Sequence, residues 1–161
     1  MPAPHTVPSR GTKDVATFTI KVNGEALPKT VEVSTFTTFK SIGRIPFSRI
    51  EILDGDPAAQ NFPQSENALF TPGNEVEILA GYRNQEDSIF KGVIVGQKIR
   101  LRKRGRGLLT VLCRHALYVA TLTEKSSTYL DGTDSDAIST ALGSYGISLT
   151  AESTNVTHER L

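Results

Sequence analysis

Sixteen consecutive residues, Ser88 to Lys103, alternate in a pattern that only a β-strand can use. Ile89, Val93, Val95, Ile99 and Leu101 share one parity, while Lys98, Arg100 and Arg102 share the other. A period of two puts such sets on opposite faces of a pleated ribbon. The run is longer than an ordinary strand and has to bend, and Gly92 and Gly96 supply the places. After Arg104-Gly105-Arg106-Gly107 the chain returns as a mostly buried strand over Leu108 to Val119, with a further strand over Ala120 to Thr123. The expected product is a long hairpin with a basic tip, in a sheet that bends like the wall of a barrel.

The rest of the chain supplies partners for that hairpin. Ala16, Phe18, Ile20 and Val22 alternate with Thr17, Thr19 and Lys21 and end at Asn23-Gly24, a pair suited to the positive φ angles of a type I′ turn. Val31, Val33 and Thr35 alternate with Glu32, Ser34 and Phe36 and are expected to be the partner strand. Over 45–53, Ile45 and Phe47 lie on one parity but Ile50 and Ile52 on the other, which predicts a β-bulge near Ser48 and Arg49. A long loop anchored by Phe62, Leu69 and Phe70 leads to a strand in which Val76, Ile78, Ala80 and Tyr82 alternate with acids. The strands expected are 16–22, 30–36, 75–82, 88–103 and 107–115.

One helix is expected, over 134–144. Thr133 or Asp134 can cap it, Asp136 suits the positive end of its dipole, and Ala137, Ile138, Ala141, Leu142 and Tyr145 form an apolar stripe that Gly146 ends. Ile147 to Thr150 can add a short strand. Residues 1–14, with three Pro and no apolar period, read as a flexible arm. The fold class expected is therefore mainly β, a small antiparallel β-barrel over 15–161 with one helix near the C-terminus.

Composition removes several functions. A chain of 161 residues is the size of one domain and can bury a core without staples. One Cys and three His exclude an internal disulfide and a tetrahedral zinc site, and no cofactor is expected. A formal charge of +1 creates no global field, so any electrostatic role must be local. No signal peptide opens the sequence and its apolar runs are far too short to span a bilayer, so synthesis in a cytoplasm without membrane insertion is expected.

The chemical motifs are sparse. Asp54-Gly55-Asp56-Pro57 resembles paired calcium ligands, but Pro57, Ala58 and Ala59 stand where further oxygens would be needed, and an Asp capping a strand-ending turn explains it better. Cys113 near His115 suggests a thiol nucleophile, yet Cys113 shares a face with Leu109 and Val111 and reads as a buried structural thiol. No Gly-x-Ser-x-Gly, Walker A, HExxH or paired-Glu arrangement occurs, and no enzymatic activity is expected. What stands out is the basic run 98–106, with Lys98, Arg100, Arg102, Lys103, Arg104 and Arg106 and no acid. It suits a subunit contact, a solvated tip that protects an edge, or an oligonucleotide-binding surface of an OB-like barrel. Against the last, no aromatic residue lies between Ile99 and Leu117 to stack a base.

The order of several motifs carries a resemblance. Phe18-Thr19-Ile20-Lys21-Val22-Asn23-Gly24 is followed by Arg44-Ile45-Pro46 and by Ile52-Leu53-Asp54-Gly55-Asp56-Pro57-Ala58-Ala59. Then come Pro72-Gly73-Asn74-Glu75-Val76-Glu77-Ile78, Ala80-Gly81-Tyr82, Ile89-Phe90-Lys91-Gly92-Val93-Ile94 and His158-Glu159-Arg160-Leu161. In this the chain resembles the N-terminal hub region of VgrG-type spike proteins, the Rhs element Vgr family of type VI secretion and contractile injection systems. It is similar in plan to the baseplate hub of contractile phage tails. The resemblance implies a first hub barrel of a longer spike protein that forms a homotrimer, joins the tail tube to the spike, and meets tube, spike or effector proteins within an apparatus that can be exported. It leaves Lys98, Arg100, Arg102, Arg104 and Arg106 as candidate interface residues, with nucleic acid as the alternative partner.

Overall fold

The computed structural model describes residues 15–56, 60–83, 85–101, 105–147 and 150–160. The arm expected over 1–14 lies outside the described residues, as do Arg102, Lys103 and Arg104 of the expected basic tip. Seven strands form one antiparallel sheet: β1 (Ala16–Val22), β2 (Glu25–Ala26), β3 (Val33–Ser41), β4 (Arg44–Asp54), β5 (Glu75–Tyr82), β6 (Gln85–Arg100) and β7 (Gly107–Arg114). Their order is β2-β1-β5-β6-β7-β4-β3.

Asn23 and Gly24 do make the tight turn, with φ of 50° and 86°. The partner strand expected after it is corrected: only Glu25 and Ala26 pair back with β1, whereas β3 pairs with β4 at the other edge of the sheet. Pro28 explains the departure, since it has no N–H to continue the ladder. The Leu27 N–H donates to Ile20 O, the Val31 N–H donates to Pro28 O, and the Leu53 N–H then donates to Glu32 O. A few residues thus join the two edges, and the sheet must curl into a barrel for them to reach. Val31 plugs the seam, and the rings of Phe18 and Phe36 meet across it at 5.1 Å.

The bulge expected at Ser48 and Arg49 is also corrected. β4 pairs with β7 in unbroken register from Phe47 opposite Arg114 to Asp54 opposite Gly107. Ser48 itself takes the inward position beside Ile50 and Ile52, because its hydroxyl donates to Thr37 O at 3.0 Å and lies 3.2 Å from the Thr38 hydroxyl. A buried hydroxyl so partnered costs little, and the strand needs no phase change. The register shifts instead in β3, between Val33 and Thr35 and between Phe39 and Ser41.

The long strand is split by a shift between Ile94 and Gly96. Before it, Phe90 and Ile94 face the core and Val93 lies half-buried on the outside, while Ile89, left unpaired where the register with β5 shifts between Ile78 and Leu79, packs against the core. After it, Gln97 and Ile99 register with the buried Val111 and Leu109, leaving Lys98 and Arg100 on the outer face. The single apolar face expected for β6 is therefore two half-faces. Gly92 marks the crossing: a Cβ there would sit 2.1 Å from Arg114 O. The return strand ends at Arg114, and Ala116–Thr121 is a 3₁₀ turn, not the continuation to Val119 and the extra strand expected over Ala120 to Thr123. His115 starts it, its N–H donating to Pro46 O and its Nδ1 accepting from the Leu117 N–H.

The loop after β4 hangs on Asp54, which is fully buried and accepts the backbone N–H groups of Gln64 at 2.8 Å and Ser65 at 2.9 Å. This is the capping role read from the sequence. Phe70 closes the barrel from the same loop, and Gln97 Nε2 donates to its carbonyl.

Beyond the barrel, β8 (Leu130–Thr133) pairs with β9 (Thr157–Arg160), and α1 (Asp134–Gly143) follows β8 directly. Thr133 and Asp136 form a capping box, and Gly146 adopts φ 67° after the last turn. The helix ends one residue earlier than expected, with Ser144 as its cap, and its stripe is corrected. No residue of α1 is buried: Ile138 and Ala141 are exposed, while Ala137, Leu142 and Tyr145 are half-buried. The helix lies against the small β8–β9 ribbon outside the barrel core. Neither Ile147 nor Thr150 is in a strand, and Ser148 and Leu149, the middle of that expected strand, lie outside the described residues.

Two outcomes test this architecture. Gly92→Ala should lose about 1–3 kcal/mol in urea melts through overpacking, whereas Gly96→Ala, where a Cβ meets nothing within 4 Å, should be near neutral; equal losses would contradict the crossing. The Thr133 hydroxyl, and then its N–H, donate to Asp136 and hold its carboxyl below the ordinary 3.8. The cap is thus complete above the ordinary value and lost as pH falls through the lowered one. In Thr133→Ala, which loses the hydroxyl but keeps the backbone N–H, an NMR titration should find the Asp136 carboxyl raised toward its ordinary value, and an unmoved titration would contradict the box.

Candidate interaction face

No helix among the described residues is long and apolar enough to cross a membrane. Among those residues no three His, Cys, Asp or Glu side chains gather as a metal would require. Cys113 points into the core opposite Ser48, and burial pushes its thiol up to about 12. A thiol so shielded holds no thiolate near neutral pH and is neither nucleophile nor ligand. His115, two residues on, is turned to the backbone of its own turn. Native protein at pH 8 should therefore resist an aromatic disulfide reagent, and react in full once unfolded in urea; rapid modification of the folded chain would contradict the burial of Cys113.

The outer face of β6, β7 and β4 is different. Register aligns its residues in rows that run across the strands. Phe39, Phe47, Arg114 and Val93 form one row, and Thr37, Arg49, Leu112 and Gly96 form the next. Glu51, Thr110 and Lys98 follow, then Leu53, Leu108 and Arg100. Four cations from three strands thus share these rows with Glu51, and the first row continues past Val93 to Glu75 on β5. Arg49, Lys98, Arg100 and Arg114 are all exposed, and none has an ion-pair partner among the described residues.

Aromatic rings hold part of this face in place. Phe39 stacks on Phe47 at 5.3 Å, and the Arg114 guanidinium lies 5.4 Å from the Phe47 ring and 5.8 Å from that of Tyr118. Such contacts orient a guanidinium without neutralising it. A cavity of about 370 Å³ opens between Phe47, Arg49, Leu112, Arg114 and Tyr118. Leu112 and Phe39, 36% and 43% exposed, leave apolar surface among the charges. The arrangement can receive carboxylates around an apolar centre, the usual anatomy of a protein contact.

Of the five residues expected from the basic run, Lys98 and Arg100 lie on this face. Arg106 does not join them: its Nη1 meets Glu32 Oε2 at 2.7 Å beside the barrel seam, a half-exposed pair of small energetic weight. Arg102 and Arg104 lie outside the described residues. Arg49 and Arg114 were missed, because each stands alone in the sequence and only strand register brings them to Lys98 and Arg100.

Comparison with known proteins follows this geometry. The family model described as the Alg8 N-terminal domain matches residues 12–161. No curated protein matches the chain. Among solved structures, the 43 kDa tail protein of a Shewanella oneidensis prophage is similar over 91% of this chain and 43% of its own, at 10% identity and a TM-score of 0.61. An E. coli component of the type VI secretion system, described as structurally similar to bacteriophage tail proteins, is similar over 88% and 38%, at 16% identity and a TM-score of 0.59. A tail protein of Neisseria meningitidis covers 80% and 33%, at 12% identity and a TM-score of 0.55. The chain spans less than half the length of each of these structures. At such identities the likeness is one of fold: a mainly β barrel of the tail-hub kind with one helix.

Proposed function

The chain belongs to the Alg8 N-terminal domain family, and from its fold we propose that it is a structural, non-enzymatic assembly module of a contractile injection machine, of the VgrG type, whose trimer forms the hub between tail tube and spike. The observation that supports this most is the shared fold over 80–91% of the chain with three proteins described as tail or type VI secretion components. The barrel is also built for neighbours. Among the described residues β3 offers an unpaired outer edge and β2 covers only two residues of β1, so backbone groups on both sides of the seam are open to another chain. A hub has to match a sixfold ring above with a threefold spike below, and a barrel with free edges suits that task.

A second reading, a nucleic-acid-binding OB-like barrel using 98–106, gains something from the rings beside Arg114. Those rings are already engaged, Phe47 by both Phe39 and Arg114, which leaves less stacking surface for a base.

Deletion of the gene in its native cell should leave tail tubes without spikes, and the tagged chain should sediment with intact particles. Particles that assemble normally without it would contradict the hub reading, and steeply salt-dependent capture of a labelled single-stranded oligonucleotide would favour the second.

A further inference from the structure

Charge is divided along this chain. Residues 15–123 hold fourteen Lys or Arg against ten Asp or Glu, while residues 124–161 hold two against six. The barrel is thus basic and the C-terminal unit of β8, α1 and β9 acidic. Among the described residues of one copy, no ion pair joins Arg49, Lys98, Arg100 or Arg114 to an acid of the C-terminal unit. The ion pair found in the acidic unit is internal, Asp134 with His158 at 3.4 Å. Near the barrel, Tyr145 and Ile147 line a groove with Glu75, Lys91, Val93 and His115 at one end of the outer face.

Glu124, Asp131, Glu152 and Glu159 are exposed and without an ion-pair partner among the described residues. So are the four cations of the outer face. Apolar surface matches too: Leu130, Ile138 and Val156 are 67%, 48% and 61% exposed on the acidic unit, against Leu112 and Phe39 on the basic face. Each surface carries the charge the other lacks, around an apolar centre of its own.

We propose that the acidic C-terminal unit of one copy docks on the basic outer face of the next, at Arg49, Lys98, Arg100 and Arg114. The occupant is a second copy of this chain, because the complementary charge and the complementary apolar patch lie on the same polypeptide. Such a contact is heterologous, head to tail, and closes into a ring when the rotation between copies allows. Closure at three copies rests on the hub reading; the contact itself does not.

Charge exchange tests it. The full chain should self-associate reversibly at low salt, as read by light scattering, and weaken by roughly tenfold or more at high salt, where charges are screened. Arg49→Glu with Arg100→Glu, and separately Glu152→Lys with Glu159→Lys, should each be monomeric with an unchanged circular dichroism spectrum. Mixing the two variants should restore association, since each then offers the charge the other's reversed surface needs. That rescue also answers misfolding, because a misfolded variant would not be rescued. The proposal is overturned by a wild-type chain that stays monomeric at every concentration, by variants that associate as wild type does, or by a mixture that stays monomeric. It is overturned as well if the arginine reversals abolish binding of a labelled single-stranded oligonucleotide and leave self-association intact. Arginine-reversed chains that enter particles normally would remove this contact while keeping the hub reading; chains that pair head to tail yet never enter particles would do the opposite.

Discussion

Gly92 lies so close to the carbonyl of Arg114 that no side chain fits between them, and the curl of the sheet depends on that approach. There β6 crosses β7 and, two residues on, shifts register between Ile94 and Gly96. The shift changes which residues of β6 face inward. It keeps Phe90 and Ile94 in the core at one end and brings Gln97 to the Phe70 carbonyl at the other. A flat strand of this length would carry its far half away from the core. By bending, β6 lets the sheet return on itself until the short path through Pro28 and Val31 joins its two edges.

The same bend creates the outer face. Lys98 and Arg100 point outward because the shift reversed the parity of the last residues of β6. Arg49 and Arg114 join them because β4 and β7 run without interruption beside it. In the sequence these four cations belong to three separate segments, and two of them look unremarkable. On the sheet they form a surface on which none of the four has an ion-pair partner among the described residues, while the acids in excess sit on a ribbon and helix outside the barrel core. Assembly is the task for which such a division of charge is useful.

Much of the barrel was legible in alternation and turn chemistry: the strands Ala16–Val22 and Glu75–Tyr82, the long strand expected over 88–103 though it begins earlier, at Gln85, the Asn23-Gly24 turn, the Thr133 cap and the capping role of Asp54. What failed were inferences from local pattern to partner. The alternation of Val31 to Phe36 is real, but a local pattern does not say which strand it pairs with, and Pro28 sends it to the opposite edge. Ser48 looked like a break in phase because a polar residue at a core position imitates a bulge, and its hydroxyl partners on β3 come from ten and eleven residues away. The helical stripe over Ala137 to Tyr145 formed with little to cover it, since periodicity records a helix and not its burial. The candidate face was half visible as a basic run; Arg49 and Arg114 required the register.

The central claim is that this barrel is a hub module in an assembled tail, and its most direct test is cryo-electron microscopy of the intact particle. Threefold density between tube and spike, accommodating the seven-stranded barrel with β3 meeting a neighbouring chain, is the result expected. A junction whose density excludes this barrel, in particles that nonetheless contain tube and spike, would contradict it.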